Sequence, residues 1–427
     1  MTPSPAPNDP ARAVERTYLI LTLLTTLASS FIWGINTIFL LDAGLNNAEA
    51  FAANAFFTAG MVLFEIPTGV VADTRGRQFS YVLGAATLLI STLLYLWMWQ
   101  LHAPLWGWAI ASILLGLGFT FFSGATEAWL VDALNATGFT GHLEHIFGRA
   151  QTVGGAAMLV GTVAGGVIAQ ATNLGVPYII RAAMLGVTLV VALRYMRDIG
   201  FTPDRESSSV TAVRNVLRGS IDGGFRKPPV RWLMLAAPFT AGTGIFVFYA
   251  AQPYLLKLYG DPTAYSIAGL AAAIMAGVQI VGGLVVPWVR RLFRRRTDAL
   301  LVSGAAGIAI LVGLGVVQSF ALALVLLATW SFIFAVAQPM RSAFLNGVIP
   351  SEQRATVLSF DSLMGSAGGV VAQPALGRIA DVSGYATSFI VSAAVQVVAL
   401  PLVFLARREN SPSDPITDEV AVAEPAA

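Results

Sequence analysis

The sequence predicts an all-α membrane protein: twelve transmembrane helices in two pseudo-symmetric six-helix bundles. Three observations carry this. Of the 427 residues, 56% are hydrophobic and 11% charged, and the mean hydropathy is +0.72, far outside the balance of soluble domains. Apolar runs long enough to cross about 30 Å of hydrocarbon recur from end to end. The longest polar interruption, Asp198 to Val230, follows the sixth run and divides the chain in two.

Met1 to Arg16 is polar and Pro-rich, expected as a disordered tail without the tripartite form of a cleavable signal. Span 1 covers about Thr17 to Leu41, too long for a signal core. The others are expected at 49–72, 79–100, 105–134, 147–171, 177–197, 231–257, 264–289, 298–317, 319–346, 355–377 and 385–406. The domains are therefore a tail (1–16), a first bundle (17–197), a linker (198–230), a second bundle (231–408) and an acidic, disordered tail (409–427). In the linker, Val210, Val213, Leu217 and Ile221 recur at helical spacing beside Arg214 and Arg218. That pattern reads either as an amphipathic helix on the membrane surface or as a disordered connection.

Both tails and alternate loops collect the Lys and Arg, leaving Arg181, Lys257 and Arg378 for the opposite side. By the positive-inside rule both termini are cytoplasmic, in a multi-pass protein of the cell (inner) membrane. The net charge of +2 then expresses orientation rather than nucleic-acid binding. With no cysteine, disulfides, thiolate metal sites and Cys nucleophiles are excluded. His142 and His145 lack matching ligands, so no metal is expected. Asn135-Ala-Thr137 is a sequon on the cytoplasmic side, out of reach of a glycosylation enzyme on the other face. There is no G-x-x-x-x-G-K-[ST], so ATP is not the energy source, and no cofactor is called for.

Between spans 2 and 3 stands Gly69-Val-Val-Ala-Asp73-Thr-Arg-Gly76-Arg77-Gln78. Gly69 would let a neighbouring helix approach, and Gly76 permits a turn that a Cβ resists. Asp73 is free to meet another helix N-terminus. The stretch resembles the loop G-x-x-x-D-x-x-G-R-[KR] of the major facilitator superfamily of secondary transporters, Gln78 departing from its last position. The resemblance covers roughly Thr17 to Arg408. It implies parallel six-span repeats with a site at their interface, and an Asp73 latch to the start of span 11, near Thr356 to Ser359, in the outward-facing state. The repeat is visible: Arg149-Ala-Gln-Thr-Val opens span 5 and Arg354-Ala-Thr-Val-Leu opens span 11, followed by Gly161, Gly165, Gly166 and by Gly365, Gly368, Gly369. The counterpart loop, Gly283 to Arg296, has Pro287 in place of the aspartate.

Ionisable groups inside spans cost about 2.5–3.5 kcal/mol to insert, so each invites a role. Glu65 (span 2) and Glu127 (span 4) fall at similar depth. Either they repel and exchange a proton at neutral pH, or each locks packing through hydrogen bonds. Arg341 and Asp361 match in depth on spans 10 and 11, as a salt bridge or as a substrate contact. Asp132 could pair with Arg149 as a gate. By resemblance, spans 1, 4, 7 and 10 line the cavity, which makes Trp33, Asn36, Thr37, Ser123, Phe246, Tyr249, Gln252, Trp330, Phe334 and Gln338 pocket candidates. Two departures weigh against antiport: Thr162 stands where the antiporter motif G-P-x-x-G-G has Pro, and span 4 has no central Arg.

The function expected is therefore a non-enzymatic secondary transporter working by alternating access. Its form would be proton-coupled export of a lipophilic compound, cations included, by a monomer whose partners are its solute, protons and membrane lipids. A facilitator or symporter for a polar nutrient stays open, as does a non-transporting receptor or lipid-moving protein.

Overall fold

The computed structural model describes residues 10–203, 214, 224–349 and 353–416. These are helical, with one isolated β-bridge between Arg295 and Pro415. Span 1 is a bent pair, Pro10–Trp33 and Asn36–Asp42, the two helices meeting at 49°. Spans 2 and 3 are Asn47–Arg75 and Arg77–Leu101; span 4 is Leu105–Phe122 plus Ala125–Ala136, broken at Gly124 (φ 68°). Spans 5 to 10 are Leu143–Ala171, Gly175–Tyr195, Pro228–Tyr259, Tyr265–Val289, Arg296–Val316 and Phe320–Val348.

The continuous helix Arg354–Val397 would run about 66 Å if straight, twice the hydrocarbon thickness. It is not straight. Gly384 adopts φ 83°, ψ 165°, and Ser388 Oγ donates to Leu376 O at 2.9 Å, a contact possible only if the chain folds back there. Span 11 thus ends and span 12 begins at Gly384, and Ala399–Arg408 completes span 12. Twelve crossings result, and large apolar side chains such as Leu63, Trp106, Leu284 and Val371 stay exposed on them, as suits a bundle whose solvent is lipid.

The glycine repeat acts identically in the two halves. A Cβ on Gly165 would lie 1.9 Å from Phe31 O, and one on Gly368 would lie 2.2 Å from Pro238 O. Span 5 therefore seats against span 1, and span 11 against span 7, at backbone distance. Between the halves, span 2 packs on span 11 and span 5 on span 8.

Two expectations about the tails need correction. Residues 10–16 are not disordered: they extend span 1 as helix, with Ala11 and Val14 buried. Residues 409–416 are a packed strap, because Asp414, itself buried, accepts from Thr297 N at 2.9 Å and caps span 9. The expected amphipathic helix of the linker lies outside the described residues, Arg214 aside.

Candidate transport cavity and gates

A cavity of about 620 Å³ lies between the halves, lined from both. Trp330 and Phe334 stack on one wall, centroids 5.5 Å apart, with Tyr249 and Phe248 beside them; Trp33, Phe57 and Phe119 complete the apolar surface. Polar groups come from both halves, Gln252, Gln279 and Ser366 from the second and Asn36, Asn54, Thr58, Thr162 and Arg181 from the first. Tyr178 OH donates to Asn36 Oδ1 and Asn36 Nδ2 to Asn54 Oδ1, each at 2.9 Å.

Gln252 has a distinct task. The break in span 1 orphans a carbonyl at the end of one helix and an amide at the start of the next. Gln252 meets both, donating Nε2 to Trp33 O at 2.7 Å and accepting from Thr37 N at 3.0 Å. It thereby pins span 7 to span 1. Farther out, Asp381 of span 11 accepts from Asn47 N at 2.9 Å, Asn47 Nδ2 at 2.8 Å and Ala48 N at 2.9 Å, and Tyr385 donates to Asn47 Oδ1. A carboxylate thus sits on the first turn of span 2, where the unpaired amides and the helix dipole favour it. These contacts join the halves at the face away from the chain termini.

Of the ten pocket candidates, Trp33, Asn36, Tyr249, Gln252, Trp330 and Phe334 line this cavity. Four do not. Thr37 is fully buried at the span 1 break. Phe246 is fully buried behind the wall, between Phe51 of span 2 and Phe389 of span 12. Gln338 lines an adjoining cavity of about 370 Å³ within the second bundle, with Arg341 and Asp361, which shares Trp330 and Phe334 with the first. Ser123 lines a groove of about 500 Å³ in the first bundle with Tyr18, Thr22 and Glu127.

Glu65 and Glu127 are both exposed and are each near Ser123. Ser123 donates to Glu65 Oε1 at 2.7 Å, while Glu127, one turn beyond the Gly124 break, faces the groove toward span 1. Arg341 and Asp361 do meet, as a two-pronged pair at 2.5 and 2.6 Å, with Arg341 Nη2 also donating to Leu233 O at 3.2 Å.

The gating residues are partnered differently from expectation. Asp73 pairs with Arg77 four residues on, and among the described residues it is not recorded in contact with span 11. Asp132 and Arg149 do not pair: Arg77 Nε lies 3.8 Å from Asp132, and Arg149 reaches Glu15 on the helical extension of span 1. Among the described residues nothing lies within 4 Å of a Cβ on Gly69, so none of their helices packs closely there, whereas Gly76 is required by φ 114°. Asp198 Oδ2 occupies the space of its missing Cβ, and Asp198 Oδ1 accepts from Gln78 N at 2.8 Å. Burial raises the Asp198 pKa, partly offset by the backbone amides it accepts from.

Sequence reasoning missed Asp198, Asp381 and Arg181. Arg181, assigned to the outer side, lies inside span 6, 1% exposed and on the cavity wall. The signal available was an ionisable residue within an apolar run, with Tyr178 one turn before it.

The Major Facilitator Superfamily model matches residues 18–372 and 287–425. The chain belongs to that superfamily. An uncharacterized MFS-type transporter of Methanocaldococcus jannaschii is 26% identical over 196 residues, 45% of this chain and 48% of that protein, so the match spans about half of that relative. Among solved structures, the nucleoside transporter NupG superposes with TM-score 0.78 at 12% identity, over 92% of this chain and 99% of that one. A bacterial homolog of the human lysosomal transporter Spinster gives 0.70 at 14%, over 97% and 100%, and a D-xylose–proton symporter 0.63 at 16%, over 92% and 96%. At these identities the likeness shows the fold. As a member of this superfamily the chain is a multi-pass membrane transporter, not an enzyme.

Proposed function

We propose that this protein carries a small solute with a flat apolar body across the cell (inner) membrane by alternating access, as a monomer with both termini cytoplasmic. The observation that carries the reading is the cavity between the halves, closed toward the face away from the termini by Gln252 and Asp381. Those closures are side-chain hydrogen bonds to helix ends, which can break and reform as the halves rock.

Coupling to protons, with Glu65 and Glu127 as the titrating groups, is the finer part of the proposal. It is supported by the lack of an ion pair at either residue among the described residues, where Glu65 has only Ser123. A potential of 100 mV supplies about 2.3 kcal/mol per charge moved, so one proton entering per exchange sustains export against a gradient. Each ligand must bind the two states differently for this to work. Among the described residues the cavity wall carries no carboxylate and one cation, Arg181, which disfavours a cationic solute. Symport of a more polar solute is favoured by one observation, the Asn36, Asn54 and Arg181 wall.

Vesicles containing the purified protein, given an imposed pH gradient and a panel of aromatic solutes, test this. The expected result is gradient-driven flux lost in Glu65→Gln and in Glu127→Gln, with exchange at equal pH partly kept. Flux without proton movement, unchanged in both variants, would point to a facilitator. The direction of solute movement relative to the proton separates export from symport.

A further inference from the structure

Arg181 is a buried cation with no ion-pair partner among the described residues. Its Nε donates to Thr92 Oγ1 at 3.0 Å, and the Thr92 hydroxyl donates in turn to Leu88 O at 2.7 Å. The guanidinium carbon stands 6.0 Å from the Phe119 ring centroid. Nη2 has no hydrogen-bond partner among the described residues, and no ion pair to Arg181 exists among them. Burying a guanidinium this way is costly, and a negative charge brought to it offsets that cost. A second donor shares the wall: the Tyr178–Asn36–Asn54 chain fixes the Asn54 amide by its oxygen and leaves Asn54 Nδ2 unpartnered. Both residues line the cavity, whose other surface is aromatic, and their two unused donors, one of them charged, lie buried in its wall.

We infer that the transported solute carries a carboxylate and that Arg181, assisted by Asn54, binds it. The inference rests on the reading of this cavity as the solute site. A single negative charge balances the single guanidinium, whereas a dianionic phosphate would leave a surplus charge in a low-dielectric site. The planar fork of Arg suits a carboxylate. The aromatic wall of Trp330 and Phe334 then takes the body of the solute.

The test is equilibrium binding to the purified full-length protein, followed by thermal shift. The probes are 3-phenylpropionate, indole-3-acetate and decanoate, each against its primary amide, with sodium chloride alone as control. Charge-assisted hydrogen bonding should make at least one acid bind about tenfold or more tighter than its amide. Arg181→Gln should bring acid and amide within about twofold, and Arg181→Lys should keep part of the preference; amide binding reports that the variants are folded. Equal binding of acids and amides to the parent, no saturable shift from any acid, a preference that survives Arg181→Gln, or a full shift from chloride alone would overturn the inference. Should Arg181→Gln not fold, the parent and Arg181→Lys still decide it. An acid preference without flux in vesicles would remove the transport reading and leave the anion site; flux without the preference would do the reverse.

Discussion

Gly76 and Gly69 belong to one motif but differ in what holds them. At Gly76 a side chain meets both a forbidden φ and the Asp198 carboxylate, 2.2 Å from the added Cβ, whereas at Gly69 it meets open space. Gly76→Ala should lower stability by about 1–3 kcal/mol, and Gly69→Ala should be neutral or slightly stabilising, since Ala favours helix interiors by about 0.5–1 kcal/mol. Thermal unfolding in detergent compares them, and equal losses would contradict the assignment. For Arg341 and Asp361, either neutralisation strands a partner. Because Arg341 is partly open to the adjoining cavity, the single losses should fall toward or below the low end of about 3–5 kcal/mol for buried pairs, and the double variant should be milder than their sum. This pair was legible in the sequence because two charges in apolar runs at equal depth have few other solutions. Arg181 was not, because near the end of a span a shift of two residues moves a side chain between interface and core. Span 6 starts at Gly175, two residues earlier than expected, which draws Arg181 inward.

Twelve elements could be read from hydropathy alone, since each must be long and apolar to cross a bilayer. Their ends were less legible, because a helix cap can come from anywhere in the chain. Asp414 caps span 9 from 117 residues away, donating no local pattern that would distinguish it from an acidic tail. Asp414→Ala removes the acceptor for Thr297 N and Oγ1 and should cost about 0.5–2 kcal/mol, visible as a lower unfolding temperature; an unchanged midpoint would mean the strap does not support span 9. Asp381 is the same device used between halves. Asp381→Asn weakens a charged contact to the first turn of span 2, and a loss of about 1–2 kcal/mol shifts the closed-to-open ratio at that face roughly five- to thirtyfold. The motif loop offered Asp73 as the latch, yet in this conformation Asp381 holds the opposite face. The sequence holds both aspartates, and among the described residues Asp381 joins the halves while Asp73 pairs within its own loop.

At the scale of the molecule, the two halves meet along spans 2 and 11 and spans 5 and 8 and leave the cavity between them. In the alternating access proposed above, rocking about those contacts opens one face while it closes the other. The chain has no native cysteine, so pairs of introduced thiols report this directly. Spin labels at Ala171→Cys and Val382→Cys span the halves at the Asp381 face, and labels at Thr140→Cys and Leu292→Cys span them at the face of the termini. Pulsed-dipolar distance distributions in lipid, at pH 5 and pH 8 and with Asp381→Asn, should show two populations at each face. A gain in the long distance at one face should accompany a gain in the short distance at the other. A single distribution at both faces, unchanged by pH and by Asp381→Asn, would contradict alternating access through this cavity.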